Sequence, residues 1–134
     1  MASEFKLKWK NIVRPQEYVT ENSRWYRDSS INKNLGGSGQ HATSTEPIKS
    51  TVSLDANGAN PVVLSNSSKT FIYIENTGSA KILISLHGNN SNSYRIKIDA
   101  GDCYVSKIRS GGGAIYAKTG ENVAGTCTVV TGVG

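Results

Sequence analysis

Short apolar runs separated by turn residues recur along residues 51–134, at intervals of about 8 to 12 residues. β-Branched and aromatic residues fill the runs, and Gly, Asn, Asp and Ser fill the gaps between them. The 3.6-residue spacing of an amphipathic helix is absent from this part of the sequence. The pattern therefore predicts an all-β fold, a single antiparallel β-sandwich of about seven or eight strands, with a barrel as the alternative.

Two neighbouring runs predict how the middle of this domain is paired. The run 69–75 is β-branched and aromatic, which favours a central strand. Asn76-Thr77-Gly78-Ser79 is a turn signal, and a second apolar run, 80–86, follows it directly. We therefore expect these two runs to pair as a hairpin.

Apolar residues are unevenly divided along the chain. Residues 1–50 contain 8 Leu, Ile, Val or Phe, whereas residues 51–134 contain 21. Between the two parts lies a Gly/Ser/Thr-rich stretch, 35–47, which is typical of a flexible linker or an extended segment without a core of its own. We predict an extended N-terminal arm with its linker over 1–50 and a sandwich domain over 51–134.

The arm is unusually aromatic for a terminal segment. Five of the ten aromatic residues, including both Trp, lie within residues 1–26, whereas disordered tails are poor in aromatics. Over residues 5–10, apolar side chains alternate with lysines, which predicts a strand with one apolar and one cationic face.

Such an arm either packs back on its own domain or docks on a neighbouring subunit. The Gly-rich linker that separates the aromatics from the domain favours docking, and aromatic anchors dominate many protein–protein contacts. The side chains expected to bind the partner are Phe5, Leu7 and Trp9, with Tyr18, Trp25 and Tyr26 as secondary anchors.

Charge and hydropathy bear on the remaining classes of partner. Fifteen Lys and Arg against ten Asp and Glu give a formal charge of +5. The basic residues are scattered along the chain, apart from Lys6, Lys8 and Lys10, whereas nucleic-acid binders concentrate them on one face. We therefore expect no nucleic-acid partner. No apolar stretch approaches the ~20 residues of a membrane span, so we expect no membrane partner either.

The two cysteines point to a reducing compartment. The first residues lack the apolar region of a secretory signal, so we expect a protein that is not secreted through such a signal and that is made in the cytoplasm. In that setting Cys103 and Cys127 are predicted to be free thiols. Each alternates with an apolar residue, which predicts two small buried side chains. Neither has a metal-ligand spacing to His41 or His87.

Fragments of catalytic motifs occur without the context that gives them chemistry. Ser30-Ile31-Asn32-Lys33 and Lys118-Thr119-Gly120 match the S-x-x-K and K-T-G of serine acyl-transfer enzymes, but no helical pattern holds the first lysine beside its serine. Gly111-Gly112-Gly113 lacks the Lys and Ser/Thr of a phosphate-binding loop. We expect a protein that is not an enzyme and that requires no cofactor and no metal.

Turns and strands of the second part resemble a known class of proteins. The run Phe71–Gly78, the run 80–86, the turn Ala100-Gly101-Asp102 and the strand Ala114–Thr119 are similar to those of small β-sandwiches in structural proteins of tailed bacteriophages. The resemblance covers roughly 51–134, and the first position of the turn, here Ala, is commonly Pro in that class.

The resemblance implies a place in a virion. A sandwich preceded by an arm is similar to capsid decoration (cement) proteins, in which the arm reaches over adjacent subunits and the partner is the major capsid protein. A tail, neck or fibre adaptor, with neck or tail subunits as partners, is the alternative. An 84-residue sandwich has a small core, and symmetric association buries more surface. We therefore also expect a homo-oligomer, with a trimer among the candidates.

A carbohydrate-binding module is the competing class. Tyr94, Tyr104 and Tyr116 could stack on sugar rings, and the Asn-rich loop 88–92 could supply polar contacts. Against this, residues 51–134 contain no Trp. Half-buried strand positions are the simpler explanation of the three tyrosines, so a glycan is the second candidate as a ligand.

Overall fold

The structure is a computed structural model that describes residues 4–13, 16–21, 23–27 and 35–134. It is nearly all β, with 54% strand and 3% helix, and its sheets are antiparallel. One short 3₁₀ turn, Ala56–Gly58, is the helical element of the described residues. The all-β prediction is confirmed.

The chain divides into two compact units, one spanning Lys6–His41 and the other containing Phe5 and Ala42–Gly134. The four strands of the first part form two two-stranded sheets, β1 with β4 and β2 with β3. Their bounds are β1 Phe5–Val13, β2 Gln16–Val19, β3 Arg24–Arg27 and β4 Leu35–Thr43. Most of the Gly/Ser/Thr-rich stretch is therefore extended, in β4. The domain boundary at residue 50 stays a prediction.

The larger unit contains two four-stranded sheets, in the orders β10-β7-β12-β5 and β6-β11-β8-β9. Neighbouring strands in both sheets are antiparallel. The bounds are β5 Ile48–Leu54, β6 Val62–Ser65, β7 Phe71–Asn76, β8 Ile82–Ser85, β9 Tyr94–Ile98, β10 Cys103–Lys107, β11 Ile115–Thr119 and β12 Gly125–Gly132. The prediction that 69–75 forms a central strand is confirmed, because β7 lies between β10 and β12.

One hydrophobic core is shared by the two sheets. The first sheet contributes Ile72 and Ile74 from β7, and the second contributes Ile82 and Ile84 from β8, all of them 0% exposed. Alternate residues of a strand point to the same side, so each sheet turns one apolar face inward. The core is completed by Leu54, Ile98, Ile115, Ala117, Cys127 and Val129.

The predicted hairpin between the runs 69–75 and 80–86 is wrong. β7 is paired on both of its sides, with β10 and with β12, so it has no edge left for β8. β8 instead pairs with β9 and β11 in the other sheet. Residues 77–81 therefore carry the chain from one sheet to the other.

The buried side chain of Asn76 fixes this crossing. Its Nδ2 donates to the carbonyl oxygen of Ala80 at 2.8 Å and to that of Ile98 at 2.9 Å. Its Oδ1 accepts from the N–H of Gly78 at 3.1 Å. One amide thus holds the end of β7, the turn that follows it and the end of β9.

Candidate functional site

The first candidate site is the two-faced strand β1. The apolar side chains over residues 5–10 are partly buried and the lysines between them are exposed, as the alternation of side chains along a strand requires. The partly buried residues are Phe5, Leu7 and Trp9, and the exposed ones are Lys6, Lys8 and Lys10. The two predicted faces are confirmed, while their role in binding stays a prediction.

A glycine of β4 makes room for the largest side chain of β1. A β-carbon at Gly39 would overlap the ring of Trp9 and would stand 2.8 Å from its Nε1. The Gly-rich composition of β4 therefore has a packing role at this position. An open groove of about 710 Å³ adjoins the contact and is lined by Lys8, Trp9, Lys10, Ser38, Gly39 and Gln40.

The predicted secondary anchors lie on the β2–β3 pair. In its antiparallel register, Tyr18 is aligned with Trp25, and Tyr26 is aligned with Glu17. The side chains of Tyr18, Trp25 and Tyr26 lie outside the described residues, and their role in binding stays a prediction.

The three tyrosines of the carbohydrate-binding hypothesis are all partly buried and are divided between two sheets. Tyr94 and Tyr116 lie on β9 and β11 of one sheet, and Tyr104 lies on β10 of the other. Tyr94 is engaged within the protein, since its hydroxyl donates to Asn89 Oδ1 at 2.7 Å and the Nζ of Lys118 lies 4.2 Å from the centre of its ring. Burial, and secondarily Tyr116, raises the pKa of Tyr94. The three rings therefore do not form one stacking platform.

The hydroxyl groups of Thr119 and Ser85 donate hydrogen bonds to backbone carbonyls. The Oγ1 of Thr119, in the K-T-G fragment, donates to the carbonyl oxygen of Asp55 at 2.7 Å. The Oγ of Ser85 donates to the carbonyl oxygen of Gly88 at 2.6 Å. These contacts give both hydroxyls a structural role in loops. The S-x-x-K fragment, 30–33, lies outside the described residues.

Strand register defines two ends of the larger unit. Successive strands alternate in direction between them, so the connections β6–β7, β8–β9 and β10–β11 lie at one end, which we call the His87 end. The connections β5–β6, β7–β8, β9–β10 and β11–β12 lie at the other, which we call the Asp99 end.

A second cavity, of about 240 Å³, opens at the His87 end. Its cationic and imidazole lining comes from three separate connections and the last residue of β10: Lys69, His87, Arg109 and Lys107. This group could not be found from the sequence alone, because the four residues are scattered along the chain. The signal that could have found it is that each lies within two residues of a strand terminus at the same end.

The two cysteines are free, and they differ in exposure. The prediction of free thiols is confirmed. The prediction of burial is confirmed for Cys127 and wrong for Cys103, which is exposed because it begins the edge strand β10. Burial raises the pKa of the Cys127 thiol from 9.0 to about 11.

This pKa predicts a pH-dependent loss of stability. The unfolded state loses the Cys127 proton near pH 9.0, before the folded state does near pH 11, so the contribution of this thiol to stability is fully present below pH 9.0 and is lost as the pH rises toward 11. We expect the urea midpoint to fall more steeply between pH 8 and pH 10.5 in the natural protein than in Cys127→Ala. Equal slopes in the two proteins would contradict the assignment.

In the folded protein at pH 7.5, a maleimide should label Cys103 alone, as read by peptide mass spectrometry.

Within the described ranges, no group of three or more His, Cys, Asp or Glu side chains is placed to hold a metal ion. No helix in the described part of the chain is long and apolar enough to cross a membrane. Compared with known proteins, the chain matches no family model and no curated protein.

Proposed function

We propose that this chain is a non-enzymatic structural protein of a tailed bacteriophage virion. It is a capsid decoration subunit that docks onto the capsid, or onto a neighbouring virion subunit, through its N-terminal arm, residues 1–50. Residues 51–134 form a single β-sandwich in this proposal. The contacts are made by Phe5, Leu7 and Trp9, and secondarily by Tyr18, Trp25 and Tyr26.

The fold supports this proposal in two ways. Two four-stranded antiparallel sheets share one core, as in a sandwich. In addition, the turn Ala100-Gly101-Asp102, which carries part of the resemblance to phage proteins, contains a glycine with φ of +84°. Only glycine adopts that conformation without strain, so the identity of Gly101 follows from the turn.

The observation that carries the proposal is the face of β1. Phe5, Leu7 and Trp9 stand on one side of a strand in a two-stranded sheet and are only partly buried. An isolated two-stranded sheet is only marginally stable in water and needs further packing against its apolar face. A partner that completes the burial of two aromatic rings gains free energy in proportion to the apolar area removed from water.

Exchanging one face of β1 at a time tests the proposal. Particles that lack this chain would be incubated with purified protein, and bound protein would be measured after sedimentation of the particles. We expect the variant Phe5→Ser/Leu7→Ser/Trp9→Ser to bind at least ~30-fold more weakly, because a central aromatic anchor contributes about 2 kcal/mol or more.

The opposite face of the same strand provides the matched control. The variant Lys6→Gln/Lys8→Gln/Lys10→Gln should retain binding within a few-fold, because exposed charges at the rim contribute little. Trp9→Phe, which keeps an aromatic ring over Gly39, should retain most of the binding. Particle binding that is unchanged by the apolar triple substitution would contradict docking through the arm.

The oligomeric state separates the forms of this proposal. Light scattering on the purified chain is expected to give a homo-oligomer, and a trimer would support a decoration or fibre role. A monomer would support an accessory subunit docked at the neck or tail.

The glycan alternative is tested separately, since a carbohydrate-binding module would give reproducible hits on a glycan array and a virion subunit of the proposed kind would give none.

A further inference from the structure

The cavity at the His87 end has no part in the proposed function, and among the described residues no ion pair neutralises its charge. The ion pair of the described residues joins Lys97 to Asp99 at 3.7 Å. No salt bridge in this part of the chain involves Lys69, Lys107 or Arg109. Three cations around a cavity of about 240 Å³ repel one another. A bound anion would relieve that repulsion.

The acidic residues of the domain are gathered at the opposite end. They are Asp55, Glu75, Asp99, Asp102 and Glu121. A five-residue strand, such as β9 or β11, separates the two ends by about 17 Å. This exceeds the Debye length of about 8 Å at physiological ionic strength, so these carboxylates cannot screen the cavity.

Two other residues at the His87 end, Glu46 and Gly134, do not line the cavity. Glu46 precedes β5, which is separated from β7 by one strand and from β10 by two, so these strands lie about 10 and 14 Å from β5 in the sheet. Gly134 donates its N–H to Thr70 Oγ1 at 2.8 Å. In the described chain no acidic side chain lines the cavity.

The size and lining of the cavity define the class of ligand. At about 240 Å³ it is smaller than the roughly 300–1,000 Å³ typical of small-molecule sites, so it takes groups of side-chain size. Leu86, Ile108 and Ile115 give it an aliphatic surface, and none of its described lining residues is Phe, Tyr or Trp. Sugars and nucleic-acid bases are held by stacking on aromatic rings, and the imidazole of His87 is the one ring among the described residues that line this cavity. Carboxylates flanked by aliphatic atoms match its three cations beside leucine and isoleucine.

We propose that the His87 end is a docking site for an acidic segment of a partner polypeptide. Carboxylates of the segment pair with Lys69, Lys107 and Arg109, and its aliphatic atoms contact Leu86 and Ile108. The proposal concerns residues other than those of β1, so it stands or falls independently of docking through the arm.

Binding of a model acidic peptide to the full-length protein tests this site. The probe is a fluorescein-labelled Glu-Leu-Glu-Leu-Glu-Leu peptide, and binding is measured by fluorescence anisotropy at 50 and 150 mM salt. We expect Lys107→Gln/Arg109→Gln to weaken binding by on the order of tenfold, since each exposed ion pair contributes a few-fold. The charge-conserving variant Lys107→Arg/Arg109→Lys should bind within about threefold of the natural protein.

A matched variant distinguishes a site from general attraction to a basic protein. Lys81→Gln/Lys97→Gln removes the same charge from elsewhere in the domain and should bind the peptide within twofold of the natural protein. Equal losses in the two Gln variants, or equal binding of a Gln-Leu-Gln-Leu-Gln-Leu peptide, would overturn the proposal. Tighter binding of a single-stranded oligonucleotide of equal charge would also overturn it and would assign the cavity to nucleic acid.

Discussion

Replacing Asn76 with alanine is expected to lower the free energy of unfolding by about 3 kcal/mol, because each buried polar group left without its partner costs about 1–3 kcal/mol. The side chain is 1% exposed, and its two donated bonds end on the carbonyl oxygens of Ala80 and Ile98. Alanine removes the donor to both carbonyls and supplies no substitute. The loss should appear in urea unfolding followed by far-ultraviolet circular dichroism, as a lower midpoint with an unchanged slope.

An isosteric variant separates the lost hydrogen bonds from the lost volume. In Asn76→Asp, a carboxylate faces two carbonyl oxygens and can donate to one of them only when protonated. The folded state therefore raises the pKa of the new carboxyl above its unfolded value, so stability is retained at low pH and is lost as the pH rises. We expect Asp at this position to be more damaging at pH 7 than at pH 4. Asn122→Ala, at an exposed position, should change stability by less than about 0.5 kcal/mol. A loss at Asn76→Ala no larger than this control would refute the bridging role.

Features of the fold that depend on local periodicity could be predicted from the sequence. The alternation over residues 5–10 predicted the two faces of β1, because a strand places successive side chains on opposite sides whatever its partner is. The run 69–75 predicted a central strand, because β-branched and aromatic residues suit a strand flanked on both sides. The turn around Gly101 was also local, since it depends on one glycine.

Features that depend on contacts between distant parts of the chain could not be predicted in this way. Asn76 is an ordinary turn residue in the sequence, and its bridging role comes from the carbonyl of Ile98, 22 residues away. The pairing of β7 was mispredicted for the same reason, since both of its edges are occupied by strands that come later in the chain. The cavity lined by Lys69, Lys107 and Arg109 exists only because the strand order brings three connections to one end.

The shared core makes a second prediction of large effect. Ile74 is 0% exposed on the central strand β7, between Tyr104 of β10 and Val129 of β12. Ile74→Ala is expected to cost about 3–4 kcal/mol, the sum of lost burial and the cavity left behind. For a domain of this size the thermal midpoint should fall by about 12–25 °C. Ile48→Ala is the matched control, because Ile48 is 55% exposed, and it should cost less than about 1 kcal/mol.

The same substitution in the second sheet tests whether the two sheets form one folding unit. Ile84 is also 0% exposed, but it lies on β8, in the sheet that does not contain Ile74. Because the two isoleucines belong to one hydrophobic core, Ile84→Ala should weaken both sheets together. Hydrogen exchange should then speed up by the same factor at the slowest amides of β7 and of β11, with one unfolding transition. Faster exchange confined to the sheet of β8 would mean that the sheets are stabilised separately, and it would remove the main structural support for a single sandwich.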